Sequence, residues 1–280
     1  MGETNGVSLR LKKFNLDEMN PLAVILAIGK RRSGKSFLLR DLLSRHQAIP
    51  TGLVMSATEM ANKFFGDFVP GCFIHEGFVE KTLDSYIQSH KALTEKMKHE
   101  QEVMGKSDID PKNFFIMDDL GYDAPKWVKN KDIKFLFMNG RHIHTLFLLT
   151  LQYPKGIPPA LRTNVDYTFI FREPNMNNRK ILYDNYAGMF ATFDDFCQVM
   201  NQCTNNFECL VIDNTSSSNS LTDQVFWYKA APQPDFKMCK PAYWKISAQL
   251  NKPTKPGEEL YDLDKIRKSK NPRINVVKTY

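Results

Sequence analysis

At 280 residues, 42% of them hydrophobic, the chain is large and apolar enough to bury the core of one sizeable α/β domain. A formal net charge of +7 with a pI near 9.0 favours an anionic partner. No apolar run approaches membrane-spanning length and residues 1–13 lack a signal-peptide core, which excludes a membrane-spanning or secreted class and predicts a soluble, cytoplasmic protein. Residues 7–14 (VSLRLKKF) alternate and read as a short accessory strand. The apolar run 22–28 (LAVILAI) is long enough for one strand buried on both faces, and it breaks at Gly29 into G-x-x-x-x-G-K-S. The loop residues are Gly29, Lys30, Arg31, Arg32, Ser33, Gly34, Lys35 and Ser36, and a helical pattern (Phe37, Leu38, Leu39, Leu42, Leu43) follows at once.

That strand–loop–helix context distinguishes a phosphate loop from a chance glycine turn. The glycines let backbone N–H groups curl toward phosphate oxygens, and the helix dipole adds favour for an anion. Lys35 is expected on the β- and γ-phosphates of ATP and Ser36 on Mg²⁺.

Further strands are predicted at 52–56 (GLVMS) and 72–75 (CFIH), then a charged amphipathic helix over 80–104 and a loop over 105–112. Residues 113–120 (NFFIMDDL) form an apolar strand ending in two aspartates, the Walker B pattern. Such a strand delivers Asp118 to the magnesium shell and leaves Asp119 to orient or deprotonate the attacking water. The same letters also suit a strand entering a turn, and aspartate in the second place is one methylene shorter than the glutamate many such enzymes carry. Residues 127–139 read as helix, 145–152 (TLFLLTLQ) as a strand buried on both faces, and 164–171 (NVDYTFIF) as the next strand. Helical patterns over 175–201 precede two strands, 207–213 and 224–228, which read as a hairpin-like addition.

Strands alternating with helices predict an α/β fold with a mainly parallel central sheet flanked by helices, plus a C-terminal β/α extension. Ligands in such sheets bind at the strands' carboxyl ends. Gly29, Asp118 and Gln152 all fall there. A core over 1–231 and a Pro/Lys-rich basic extension over 232–280 are expected. Lys265, Arg267, Lys268, Lys270, Arg273 and Lys278 make a basic tail, either solvated or set against nucleic-acid phosphates. The five cysteines sit at no metal-ligand spacing and read as reduced thiols of a reducing compartment. The histidines, His142 and His144 among them, show no zinc arrangement.

The stretch 139–171 (NGRHIHTLFLLTLQYPKGIPPALRTNVDYTFIF), together with the GKRRSGKS loop and the Asp-Asp strand, resembles the FtsK–HerA superfamily of DNA-pumping ATPases. It looks most similar to the poxvirus-type DNA-packaging ATPases of large nucleocytoplasmic DNA viruses, over roughly residues 22–172. The resemblance implies a RecA-like P-loop NTPase sheet in which strand 145–152 lies between the phosphate-loop and Walker B strands. It implies that Gln152 senses the γ-phosphate, where the residue by itself could equally cap a strand. It implies a homo-oligomeric ring, a hexamer or pentamer, with double-stranded DNA in its channel and capsid or portal components as further partners, in a virus factory or virion. Arg141 precedes the strand that ends in Gln152, roughly 25 Å away at about 3.3 Å per residue, so it can reach only a neighbour's nucleotide. It is therefore a candidate arginine finger in trans or an ion pair at a helix–strand junction, with Arg162 as the other candidate finger. A small-molecule kinase and a nucleotide-binding scaffold protein remain as alternative readings.

Overall fold

The computed structural model describes residues 8–250. Its centre is an eight-stranded sheet in the order β3-β2-β4-β5-β1-β6-β7-β8. The strands are β1 (Val24–Ile28), β2 (Thr51–Ser56), β3 (Ile74–Glu76), β4 (Asn113–Asp118), β5 (Thr145–Leu151), β6 (Tyr167–Phe171), β7 (Glu208–Asp213) and β8 (Val225–Lys229). Pairings from β3 across to β6 are parallel, and β7 and β8 close one side as an antiparallel hairpin. The predicted insertion of β5 between β4 and β1 is observed, as is the hairpin.

The apolar strands explain the layering. Side chains alternate across a pleated strand, so a strand with no polar face must be covered on both sides. Val24, Leu26 and Ile28 join one core with Leu83, Ile87, Leu136, Phe137 and Phe196 of the helices Glu80–Met104, Lys131–Asn139 and Phe193–Cys203. Ile25 and Ala27 join the other with Leu38, Leu39, Leu42 and Leu43 of helix α1 (Lys35–Ser44). Both cores are contiguous clusters of buried apolar side chains, which holds the strand ends of the central sheet in fixed register.

Three expectations are corrected. Residues 7–14 form no strand where described: Lys13 makes one isolated bridge with Trp227, and Phe14 turns inward against Tyr167, Phe169 and Phe226. The helix expected over 127–139 divides, because Asn130 accepts hydrogen bonds from the N–H groups of Asp132 and Ile133 and starts a new helix there. Cys72 and Phe73 lie in a 3₁₀ turn (Gly71–Phe73) rather than in β3. Residues 232–250 return across the α1 face, where Phe236 packs on Phe68 at 5.0 Å and Met238 is buried. The basic tail from Lys265 onward lies outside the described residues. No helix among the described residues is long and apolar enough to cross a membrane.

Candidate active site

β1 lies between β5 and β6, fifth of the eight strands, so the chain leaving it at Gly29 emerges in mid-sheet. A Cβ on Gly29 would lie 2.6 Å from Ser33 Oγ and 2.7 Å from Phe171 Cβ, so only glycine lets the loop settle onto the end of β6. Gly34 has φ +109° and forms the N-cap of α1. Between them the loop holds its shape with its own lysines. Lys35 Nζ donates to Lys30 O at 2.9 Å and to Gly29 O. Lys30 Nζ lies 2.8 Å from the buried carboxylate of Glu173, just past β6. Burial lowers the Lys35 ammonium from its usual range, and the nearby Asp119 and Asp118 carboxylates pull it part of the way back. Arg31, Arg32 and Ser36 are exposed.

The Ser33 hydroxyl is buried with no hydrogen-bond partner among the described residues. A donor left unpaired inside a glycine loop is what a phosphate oxygen would satisfy. The residues present therefore fit a polyphosphate.

β4 ends at the same edge. Asp118 Oδ1 accepts from Thr150 Oγ1 at 2.7 Å and Oδ2 from Ser56 Oγ at 3.2 Å. Burial pushes its carboxyl up, and the two hydroxyls pull it down. The chain then turns sharply, with Asp119 in the left-handed region at φ 54° and its N–H donating to Thr150 Oγ1 at 3.0 Å. That turn carries the second carboxylate away from the sheet and onto the tip of β5, where Gln152 Nε2 reaches both its oxygens at 2.5 Å. Thr150 thus serves both aspartates, donating to one side chain and accepting from the backbone of the other.

No group of three His, Cys, Asp or Glu side chains that could hold a metal occurs among the described residues. Ser36 and Asp118 supply the donors expected for Mg²⁺, which usually takes one or two protein ligands, keeps several waters and completes its shell with substrate phosphates. A carboxylate oriented by hydroxyl groups, as Asp118 is, suits that role. Thr150, Ser56 and Glu173 belong to no motif in the sequence. The available signal was Thr150 itself, a polar residue inside an otherwise apolar buried strand.

The structure brings the phosphate loop, Asp118, Asp119 and Gln152 to one edge, but neither arginine joins them. Arg141 lies in the 3₁₀ turn Gly140–Ile143 before β5, at the opposite edge, with Nη2 3.6 Å from Asp166 Oδ1. Arg162 donates to Asn185 Oδ1 and lies over the Tyr186 ring.

No protein-family model matches the chain. It is 37% identical over 220 residues to protein L437 of Acanthamoeba polyphaga mimivirus, covering 79% of this chain and 77% of that one. To protein 075L of Invertebrate iridescent virus 6 it is 37% identical over 250 residues, covering 86% of this chain and 92% of that one. Among solved structures it resembles the genome packaging NTPase B204 from Sulfolobus turreted icosahedral virus 2 in complex with sulfate, with a TM-score of 0.52 and 14% identity over 77% of this chain and 100% of that one. EssC (ATPases 2 and 3) from Geobacillus thermodenitrificans aligns with a TM-score of 0.54 and 12% identity over 81% of this chain and 44% of that one. At such identities the likeness establishes a shared fold, the α/β architecture expected from the motifs.

Proposed function

The chain belongs to the family of nucleocytoplasmic large DNA virus proteins that includes L437 and 075L, and on that premise we propose that it is an ATP-driven motor that packages double-stranded viral DNA into a capsid. The observation that carries the reading is the Asp119–Gln152 pair set at the same sheet edge as a phosphate loop. A structural carboxylate needs no such arrangement, whereas phosphoryl transfer to water needs a base and an orienting group beside the terminal phosphate.

In this mechanism the loop N–H groups and Ser33 bind the phosphates, and Lys35 leaves its carbonyl partners to neutralise the terminal ones. Asp119 accepts a proton from the attacking water. Gln152 holds the carboxylate of Asp119 and turns its amide to the γ-phosphate and water on loading. Bound Mg²⁺ would neutralise charge on the phosphates and is assigned to Ser36 and Asp118. Arg141, too far along β5 to serve its own site, acts on a neighbouring subunit's nucleotide, with Arg162 as the other candidate. That assignment requires a homo-oligomeric ring, whose channel would hold duplex DNA and whose rim would dock on capsid or portal components. The kinship to large DNA virus proteins supports a virus factory or virion as the setting.

The test is ATP hydrolysis by the full chain with and without duplex DNA. Stimulation by duplex is the expected result. A phosphorylated small-molecule product would make the chain a kinase, and binding without turnover would make it a scaffold.

A further inference from the structure

Asp118, Asp119 and Gln152 lie at the ends of β4 and β5, on one flank of β1, so a nucleotide whose terminal phosphate faced them would direct its base to the other flank, toward β6 and β7. β7 runs antiparallel to β6 with Phe171 opposite Cys209, which returns the start of β7 to the edge that carries the phosphate loop. Phe207 stands at this return. A Cβ placed on Gly34 would lie 3.5 Å from Phe207 Cβ and 3.7 Å from Cδ1, so the ring flanks the phosphate loop directly.

Phe207 is unusual in two independent ways. It is 65% exposed, although its neighbours Phe171 and Cys209 on the same side of the sheet are buried. It also holds φ 64°, immediately after Asn206 at φ 50°, and a bulky residue in the left-handed region is a strained arrangement that the surroundings must enforce. They do so through a set of short hydrogen bonds. Arg172 Nη1 donates to Asn205 Oδ1 at 2.6 Å, Asn205 Nδ2 to Asn201 O at 2.7 Å, Thr204 Oγ1 to Met200 O at 2.6 Å and Glu208 N to Asn205 O at 2.8 Å. The result is a braced turn that leaves the Phe207 ring exposed beside the loop.

We propose that Phe207 is the stacking platform for the nucleobase of the bound nucleoside triphosphate. The inference rests on the nucleotide-binding reading above and adds the base subsite to it. An aromatic ring gains attraction from any base, since each has a π-face, and stacking of this kind is strong enough to change affinity about tenfold. ATP and GTP should therefore depend on Phe207 alike. Inorganic tripolyphosphate, which has no base, should not depend on it.

The experiment measures affinity of the full chain for ATPγS and for Mg²⁺-tripolyphosphate in wild type, Phe207→Ala and Phe207→Trp. The expected result is a loss of about tenfold for ATPγS in Phe207→Ala with tripolyphosphate unchanged. Phe207→Trp should restore affinity, and its added fluorescence should be quenched by ATPγS and not by tripolyphosphate. Equal losses for both ligands would overturn the inference and make Phe207 a support of the phosphate loop. Unchanged affinity with altered particle size would overturn it in favour of a contact between copies. Wild-type protein that binds neither ligand would overturn the nucleotide reading itself, a result separable from the other two.

Discussion

The amide nitrogen of Gln152 lies 2.5 Å from both carboxylate oxygens of Asp119, so the tip of β5 grips the side chain that follows β4. The contact joins the two strands at the point where a terminal phosphate would arrive. Breaking it should disturb chemistry far more than folding. Gln152→Ala should leave the melting temperature nearly unchanged and lower kcat by roughly 10²-fold, the scale of a misplaced reacting group. Asp119→Asn should bind ATP and lose roughly 10²–10⁴-fold in turnover, while Lys35→Ala loses binding as well. Parent-rate hydrolysis by Asp119→Asn would remove Asp119 from the reaction, and an early-melting Gln152→Ala with normal specific activity would make Gln152 a strand cap.

Thr150 should control the acid limb of activity. Asp118 is already raised by burial, and the Thr150 and Ser56 hydroxyls oppose that rise by stabilising its charged form. Thr150→Val keeps the shape and deletes the hydroxyl, so the Asp118 carboxyl rises further. The pH at which kcat/KM falls on acidification should move upward. The same change strands a carboxylate oxygen and the Asp119 N–H, at a cost of roughly 1–3 kcal/mol in stability. An acid limb that stays in place would exclude Asp118 from the titrating step.

The raised carboxyl also predicts a gain. A group whose folded pKa lies above its unfolded value destabilises the fold when ionised, above the folded pKa, and the penalty disappears as pH falls through that value. Asp118→Asn should therefore melt higher than wild type near neutral pH, with the difference shrinking on acidification, while turnover is lost. Thermal melts across pH decide it, and a variant that melts lower throughout would reverse the assignment.

Arg141 is half-exposed and meets Asp166 at 3.6 Å, a surface pair of roughly 0–1 kcal/mol. Arg141→Ala should therefore barely alter stability. Its turnover should be nearly lost and should recover on mixing with Lys35→Ala protein, because some interfaces then combine an intact loop with an intact arginine. Mixtures shown to co-assemble without recovery would remove Arg141, leaving Arg162 to the same experiment.

The basic stretch 265–280 carries Lys265, Arg267, Lys268, Lys270, Arg273 and Lys278. Its deletion should weaken duplex binding and flatten the salt dependence of that binding, because fewer counterions are released, with DNA-independent hydrolysis unaltered. An unchanged salt slope would show that the stretch makes no phosphate contacts.

The sequence determined the features that are contiguous in the chain. The phosphate loop, the strand that ends in two aspartates and the apolar run that ends in Gln152 are local, and each announces itself by spacing alone. Strands apolar on both faces also dictate a sheet covered on both sides, and strand length alone separates Arg141 from its own site. Register between strands decided the rest. Thr150 can bridge Asp118 and Asp119 only because β5 lies beside β4 in a particular alignment, and Ser56 reaches Asp118 only because β2 flanks it on the other side. Glu173 meets Lys30, and Phe207 meets Gly34, only because β6 ends and β7 begins at the edge where β1 ends. Such contacts join residues far apart in the chain, and helices packing on both faces of the sheet fix the alignment that makes them.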